Sequence, residues 1–209
     1  MKWCAALLLA GLLAAQSAGA HDSWIAQPGH IVTGSRYPAV DLTVPGAAIA
    51  AARCDDGACW AELKEFEIEL DPRLVEVYFR ELKPSEAVRA RWKALQARGL
   101  PWRERYRKFV RSGTGSVPAG LDLEIVALGS GRFVLLSKGE PVKDQPIELL
   151  SDRSPLGVWS RTDARGEVEW AIPFPAQWLV RTIVIEPDGQ EQWRSRFATL
   201  VFNSQPASR

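Results

Sequence analysis

Histidine is scarce in this chain, which has only His21 and His30 among 209 residues. Cysteine is scarce too, with three residues, and no charge sign dominates, since 26 lysines and arginines face 25 aspartates and glutamates. This near-balance argues against a general nucleic-acid-binding protein, which needs a basic surface. The few histidines and cysteines restrict any transition-metal site to a small set of ligands.

Familiar enzyme motifs are also missing. The sequence has no G-x-S-x-G nucleophile elbow, P-loop, dinucleotide-binding fingerprint or H-E-x-x-H zinc motif. A pair of catalytic carboxylates needs no local motif, so a hydrolase is not excluded. Because nothing in the sequence points to one, we expect a protein that is not an enzyme.

The long apolar run that the chain does possess lies at its N-terminus. Lys2 precedes the run AALLLAGLLAA, and the small residues AGA end at Ala20, which is the pattern of a cleaved secretory signal peptide over residues 1–20. The run is shorter than the ~20 residues of a transmembrane helix. We therefore predict a secreted protein, located in a bacterial periplasm, whose mature chain begins at His21 and has no transmembrane segment.

The mature chain keeps two cysteines, Cys54 and Cys59, in the stretch CDDGAC. The Asp-Asp-Gly turn between them and an oxidising compartment favour a disulfide. The alternative is a soft-metal pair. Two thiolates without nearby histidines make a poor closed zinc site, which takes four ligands.

Alternation of apolar and polar residues predicts a mainly β protein. Two strands are predicted at 37–44 (YPAVDLTV) and 63–70 (LKEFEIEL). Beyond residue 120 the pattern is almost purely β, with turns at DARG and PDGQ. The predicted strands there are LDLEIVAL, RFVLLS, PIELLS, GVWSRT, EVEWAI, WLVRTIVIE and WRSRFATLVF. Short strands with regular turns favour an immunoglobulin-like or prealbumin-like β-sandwich.

The middle of the chain predicts a helical insertion of about three helices over 71–112. Asp71 begins the first as an N-cap, the second runs from Ser85 to Arg98, and the third opens at Pro101 and ends near Gly113. The stretch GTGSVPAG at 113–120 is typical of a linker. We therefore expect two β-sandwich-like lobes, 21–120 with the insertion and 121–209 without it.

Basic residues are concentrated in the second and third predicted helices. Arg103, Arg105 and Arg107 are interleaved there with Trp102 and Tyr106. One interpretation is a basic helical face that docks an envelope protein or anionic lipid headgroups. The other is a solvated face that pairs with the acidic segment 55–86, and the overall charge balance favours this second interpretation.

His21 carries the main functional hypothesis. As a free N-terminal residue it offers its α-amine and ring Nδ1 to one ion as a chelate. Such nitrogen ligands suit copper(II) and nickel(II). Asp22, His30 and Glu186 are the further donors that we considered.

Two alternatives to metal binding by His21 remain at this stage. In the first, cleavage happens to fall before a histidine, so that His21 is simply the first residue of a strand and His30 lies in a surface turn. In the second, the protein is an N-terminal-histidine copper oxygenase acting on polysaccharide. That enzyme needs a second imidazole, which only His30 offers, and we rank it last.

Three stretches resemble one bacterial family along essentially the whole mature chain. AHDSWI, RERYRKFV and the block from GRFVLLSKGEPV to RFATLVF are similar to the periplasmic family called domain of unknown function 4198, which is related to periplasmic components of nickel and cobalt uptake systems. The resemblance implies a two-lobed β-rich protein that binds or handles nickel, cobalt or another transition metal. It also implies an inner-membrane metal transporter as the partner.

The resemblance carries over residue by residue at the N-terminus. The mature histidine of the family falls on His21, its aspartate on Asp22 and its tryptophan on Trp24. The family commonly has a second histidine in the strand WLVRTIVIE, and the matching position here is Val184. Valine cannot ligate a metal, so a complete site in this chain would need His30 or Glu186 in its place.

Overall fold

Strands dominate the structure, as the alternating sequence predicts. The computed structural model describes residues 22–34, 37–43, 45 and 48–204. Within these residues the chain forms fifteen strands and two helices. In chain order they are β1 (Asp22–Gln27), β2 (His30–Gly34), β3 (Leu42–Thr43), β4 (Ile49–Asp55), β5 (Ala58–Leu63), β6 (Phe66–Leu70), α1 (Pro72–Leu82), α2 (Glu86–Ala97), β7 (Trp102–Gly113), β8 (Glu124–Gly129), β9 (Arg132–Ser137), β10 (Glu140–Pro141), β11 (Pro146–Ser151), β12 (Ser154–Arg161), β13 (Glu167–Glu169), β14 (Gln177–Asp188) and β15 (Gln192–Asn203).

The largest sheet has eight strands in the order β12-β11-β14-β15-β7-β5-β4, with β6 also paired to β7. Its neighbouring strands are antiparallel except β15 and β7, which are parallel, with Trp193 opposite Glu104 and Val201 opposite Ser112. The sheet therefore contains strands from both sides of the predicted lobe boundary at residue 120. The division into two lobes stays a prediction.

Three smaller layers cover this sheet. The hairpin β1–β2, extended by β3, packs on one face, where Trp24 meets Leu179 and Val201. Next to it on the same face lie α1 and α2, whose Trp92 packs edge-on against Trp102. A sheet in which β9 pairs with β8, β10 and β13 packs on the opposite face and builds the largest buried cluster. The structure is thus mainly β and sandwich-like.

Both helices begin at the predicted caps. The Asp71 carboxylate accepts a hydrogen bond from the N–H of Arg73 at 2.8 Å, and the Ser85 hydroxyl accepts one from the N–H of Val88 at 3.3 Å. These bonds satisfy N–H groups that lack partners in the first helical turn. Helix α2 matches the predicted range from Ser85 to Arg98 to within one residue at each end.

The third predicted helix is wrong, because residues 102–113 form strand β7. Trp102, Tyr106 and Val110 are spaced four apart, which suits a helix, yet they also fit an alternation of two. In the structure these side chains are buried on one face, while Arg103 and Arg107 point to the other and are exposed. A strand forms instead of a helix because β5, β6 and β15 supply backbone hydrogen-bond partners along the whole of β7.

The predicted linker is held by a buried ion pair. Arg111 and Glu124 pair at 3.1 Å with almost no exposed surface. The Arg111 guanidinium also donates to the carbonyls of Gly115 and Val117, and Glu124 accepts hydrogen bonds from the N–H groups of Ala119 and Gly120. The segment between β7 and β8 is therefore bound to Arg111 of the large sheet and to Glu124 of the small sheet.

Candidate functional site

The first predicted metal ligand, His21, lies outside the described residues, but its neighbour Asp22 is well defined. Asp22 begins β1 and is buried, and its carboxylate pairs with the Arg181 guanidinium at 2.5 Å. The next residue, Ser23, bonds the Thr33 hydroxyl and accepts a hydrogen bond from Thr199 on its carbonyl. Asp22 and Ser23, the two residues that follow His21, are therefore held by Arg181, Thr33 and Thr199.

His30 lies far from this point. In the β1–β2 hairpin Asp22 pairs with Gly34, whereas His30 pairs with Gln27 at the other end. Gln27 is five residue steps along the strand from Asp22, about 16 Å at the usual rise per residue. The imidazole side chain is exposed beside the turn, so the structure does not bring Asp22 and His30 together.

Within the described part of the chain, no group of three or more histidine, cysteine, aspartate or glutamate side chains is arranged to hold a metal ion. Val184 is partly buried against the main core, and Glu186 pairs with Arg196 at 3.1 Å. Neither takes part in a ligand cluster with Asp22, which is already bound to Arg181.

The two predicted cysteines form a disulfide. Cys54 on β4 and Cys59 on β5 lie directly opposite each other, and the turn Asp56-Gly57 joins their strands. Both turn residues have positive φ, which aspartate and glycine tolerate better than most residues. The hairpin sits at the edge of the large sheet, away from Asp22.

The predicted basic face does not exist as a helical surface. Arg103, Arg105 and Arg107 lie on β7, and each pairs with a carboxylate across the open face of the sheet. The pairs are Arg103 with Glu69 at 2.9 Å, Arg105 with Asp188, and Arg107 with Glu62 at 2.9 Å and Glu65 at 3.4 Å. The helical placement of these arginines is therefore wrong, whereas docking of a partner by them stays a prediction, and the expected pairing with residues of the acidic segment is found for Arg103 and Arg107.

A chain of buried charges crosses the opposite face, between the hairpin and the helices. We call it the buried charge chain, and it comprises the buried residues Glu104, Lys108, Asp22 and Glu148 together with the partly buried Arg181, in the order Glu104, Lys108, Asp22, Arg181, Glu148. Its signs alternate along this order. Arg181 bridges two of its carboxylates, bound to Asp22 on one side and to Glu148 at 2.6 Å on the other.

Burial shifts the proton affinities in this chain. It raises the pKa of Glu148 and of Glu104, although Arg181 opposes the shift at Glu148 and hydrogen bonds from Trp102 and Tyr78 oppose it at Glu104. Burial also lowers the pKa of Lys108 to about 8, against the attraction of Asp22 and Glu104. At Arg181 burial alone lowers the pKa, but Asp22 and Glu148 more than reverse it.

Sequence patterns did not single out this chain, because its members are scattered. Lys108 stands in strand β7, for which the sequence predicts a helix, and Arg181 interrupts the apolar run WLVRTIVIE. A charged residue on the buried face of a predicted strand is the signal that was available. Strongly shifted proton affinities are typical of functional sites but also of structural ion pairs. Here the ion pairs fasten the N-terminal hairpin to the sheet.

A cavity of about 460 Å³ lies elsewhere, at the end of the small sheet. Its walls include the β8–β9 turn, Phe133, Trp170 and Phe202, and none of the predicted site residues. The indole N–H of Trp170 is buried and has no hydrogen-bond partner among the residues that the structure describes. The cavity is thus separate from the start of β1.

Among the described residues, no helix has the length and apolar character that crossing a membrane requires. No protein-family profile, no curated protein and no solved structure matches the chain.

Proposed function

We propose that the protein is a secreted, non-enzymatic periplasmic protein that binds nickel, cobalt or copper through His21 as its first mature residue. The observation that supports this most is the anchoring of Asp22. Since Arg181 holds the Asp22 carboxylate and Thr199 holds the Ser23 carbonyl, a histidine one peptide bond earlier is attached to a rigid point. A fixed attachment lowers the entropy cost of forming a chelate.

The ligand set in this proposal is narrower than the sequence suggested. Asp22 is engaged by Arg181, and His30 lies at the other end of the hairpin. The chelate is therefore the α-amine and Nδ1 of His21, with the remaining positions taken by water or by a partner's ligands. A site with only two strong ligands suits an ion that the protein passes on to a partner. We propose an inner-membrane metal transporter as that partner.

The compartment in the proposal rests on the signal-peptide pattern and is supported by the Cys54–Cys59 disulfide, since disulfides persist in oxidising compartments. It matters chemically because only cleavage after Ala20 frees the His21 amine. In the uncleaved chain that nitrogen belongs to a peptide bond and is a poor ligand.

Calorimetric titration with nickel(II), cobalt(II) and copper(II) tests the proposal. We expect a protein starting at His21 to bind one ion per chain, and the same protein with one extra N-terminal glycine to bind at least tenfold more weakly. His30→Ala is the matched control, and we expect it to bind like the parent. Equal affinity with and without the extra glycine would overturn the proposal, and a loss of binding in His30→Ala would overturn the two-nitrogen ligand set.

A further inference from the structure

The cavity at the end of the small sheet is lined by two opposite charges, Arg132 on β9 and Glu169 on β13, which are direct cross-strand partners. Among the described residues, the Arg132 guanidinium has one carboxylate within 4.0 Å, that of Glu167, and it lies at this limit. Such a distance is too long for a hydrogen bond. Glu169 is exposed and forms no ion pair with any residue that the structure describes. Both charges are therefore available to a ligand.

Three aromatic rings also line the cavity. The ring of Phe133 lies 5.9 Å from that of Trp170 and 5.2 Å from that of Phe202, measured between ring centres. All three side chains are more than nine-tenths buried, so their positions are set by the core. An apolar group of a ligand that packs against these rings leaves water, which favours binding.

Trp170 adds a hydrogen-bond donor to this wall. Its buried indole N–H has no partner in the described part of the chain. Leaving a buried donor unpaired costs free energy, and an acceptor oxygen of a ligand recovers it. A carboxylate supplies such an oxygen and is also the acceptor that pairs most strongly with an arginine guanidinium.

One side of the cavity is the turn between β8 and β9, and this turn is fastened to Trp170. The Gly131 carbonyl accepts a hydrogen bond from the backbone N–H of Trp170 at 3.0 Å. Gly131 has a φ of +76°, and a β-carbon there would lie 2.2 Å from the Trp170 carbonyl oxygen, so the close approach requires glycine. Arg132 follows directly in the chain. The cavity is thus formed before a ligand arrives, which lowers the ordering cost of binding.

We propose that this cavity binds a free α-amino acid with an apolar side chain. The carboxylate of the ligand accepts hydrogen bonds from Arg132 and from the indole N–H of Trp170, and its ammonium group pairs with Glu169. Its side chain packs against Phe133 and Phe202. A ligand with a single charge leaves either Arg132 or Glu169 without a partner. The cavity volume of about 460 Å³ lies in the lower part of the range of small-molecule sites, ~300–1,000 Å³, which favours a single amino acid over a peptide.

Calorimetric titration of the protein that starts at His21 with L-phenylalanine tests the proposal. The buffer contains EDTA, so that no amino acid binds through a metal ion at His21. Two comparison ligands each lack one charged group, since phenylpropanoate has no amine and phenethylamine has no carboxylate. We expect one phenylalanine to bind per chain, and both comparison ligands to bind at least tenfold more weakly.

Two variants separate the charged contacts. Arg132→Gln should weaken phenylalanine binding at least tenfold, because the carboxylate loses its cation. Glu169→Gln should reduce the affinity for phenylalanine to that for phenylpropanoate, because the ammonium group loses its partner. The matched controls are Arg73→Gln and Glu140→Gln, whose exposed side chains do not line the cavity, and both should bind phenylalanine like the parent.

Circular dichroism establishes that each variant is folded, which is expected because Arg132 and Glu169 are exposed. The proposal is wrong if phenylalanine does not bind at concentrations up to about 1 mM. It is equally wrong if either comparison ligand binds as tightly as phenylalanine, or if either cavity variant keeps the full affinity of the parent. None of these results bears on metal binding by His21, which EDTA removes from the assay.

Discussion

Glu148 and Gly157 fit together only because Gly157 has no side chain. A β-carbon at position 157 would lie 2.6 Å from Cδ and 2.8 Å from Cγ of Glu148, closer than packed atoms come. The absent side chain leaves room for the Glu148 carboxylate to lie over β12 while it binds Arg181. A glycine on an edge strand thus helps to hold an ion pair inside the protein.

Replacing Gly157 by alanine should push Glu148 away from Arg181. We expect the free energy of unfolding to fall by about 1–3 kcal/mol, the usual cost of overpacking. Urea unfolding measures this change. The control is the same replacement in a Glu148→Ala background, where the clash is gone and the cost of Gly157→Ala should nearly vanish. An equal cost in both backgrounds would show that the two residues are not coupled.

Replacing Arg181 by methionine should be among the most damaging changes in the sheet. It leaves the carboxylates of Asp22 and Glu148 buried without their shared cation, and breaking a buried ion pair costs about 3–5 kcal/mol. The matched control is Arg103→Met, whose exposed pair with Glu69 should contribute less than about 1 kcal/mol. Similar losses in the two variants, by urea unfolding, would contradict the central place of Arg181.

Lys108 should make the protein more stable as pH rises from 8 to 10. Its pKa in the folded protein is about 8, against 10.5 when exposed, so in this range the unfolded chain binds more protons than the folded one. The expected gain is about 2 kcal/mol in the free energy of unfolding. Above pH 10 the buried tyrosines act oppositely, since burial raises the pKa of Tyr106 to about 12 and also raises that of Tyr78.

The variant Lys108→Met separates this contribution from those of other groups. It should flatten the rise between pH 8 and 10 in urea-unfolding measurements, while the fall above pH 10 remains. If Lys108→Met keeps the full rise in the free energy of unfolding between pH 8 and 10, that rise comes from a group other than Lys108.

Loss of the Cys54–Cys59 disulfide should lower the free energy of unfolding by less than the Arg181→Met substitution does. Cys54 and Cys59 close a loop of only about six residues, for which the chain-entropy estimate is about 2 kcal/mol. We expect the double variant Cys54→Ser, Cys59→Ser to lose about this much in unfolding free energy. The parent in dithiothreitol should lose the same amount. A global loss of structure in either would show that the hairpin supports more than its own edge of the sheet.

Local patterns predicted much of the fold. β9 and β11 have the predicted bounds, α2 begins at the predicted Ser85, and the disulfide forms between the predicted cysteines. In each case the determining interactions lie within a few residues. Strand β7 is different, because its apolar residues suit both periods and its partner β15 lies more than eighty residues later.

The candidate site was less predictable for a related reason. Asp22 was identified as a possible ligand, but its partner Arg181 is 159 residues away in sequence. Nothing near Asp22 indicates that its carboxylate is already bound. The placement of His30 at the other end of the hairpin follows from the pairing register of β1 and β2, which local sequence patterns do not determine.

The position of β15 has a consequence for how the chain is made. This strand, the last among the described residues, lies between β14 and β7 and joins the earlier part of the sheet to the later part. Until residue 203 has left the ribosome, the two parts have no strand to connect them. The eight-stranded sheet therefore cannot close before residue 203 is made, and strands β4 to β7 wait without their β15 partner while the ninety residues that follow β7 are synthesised.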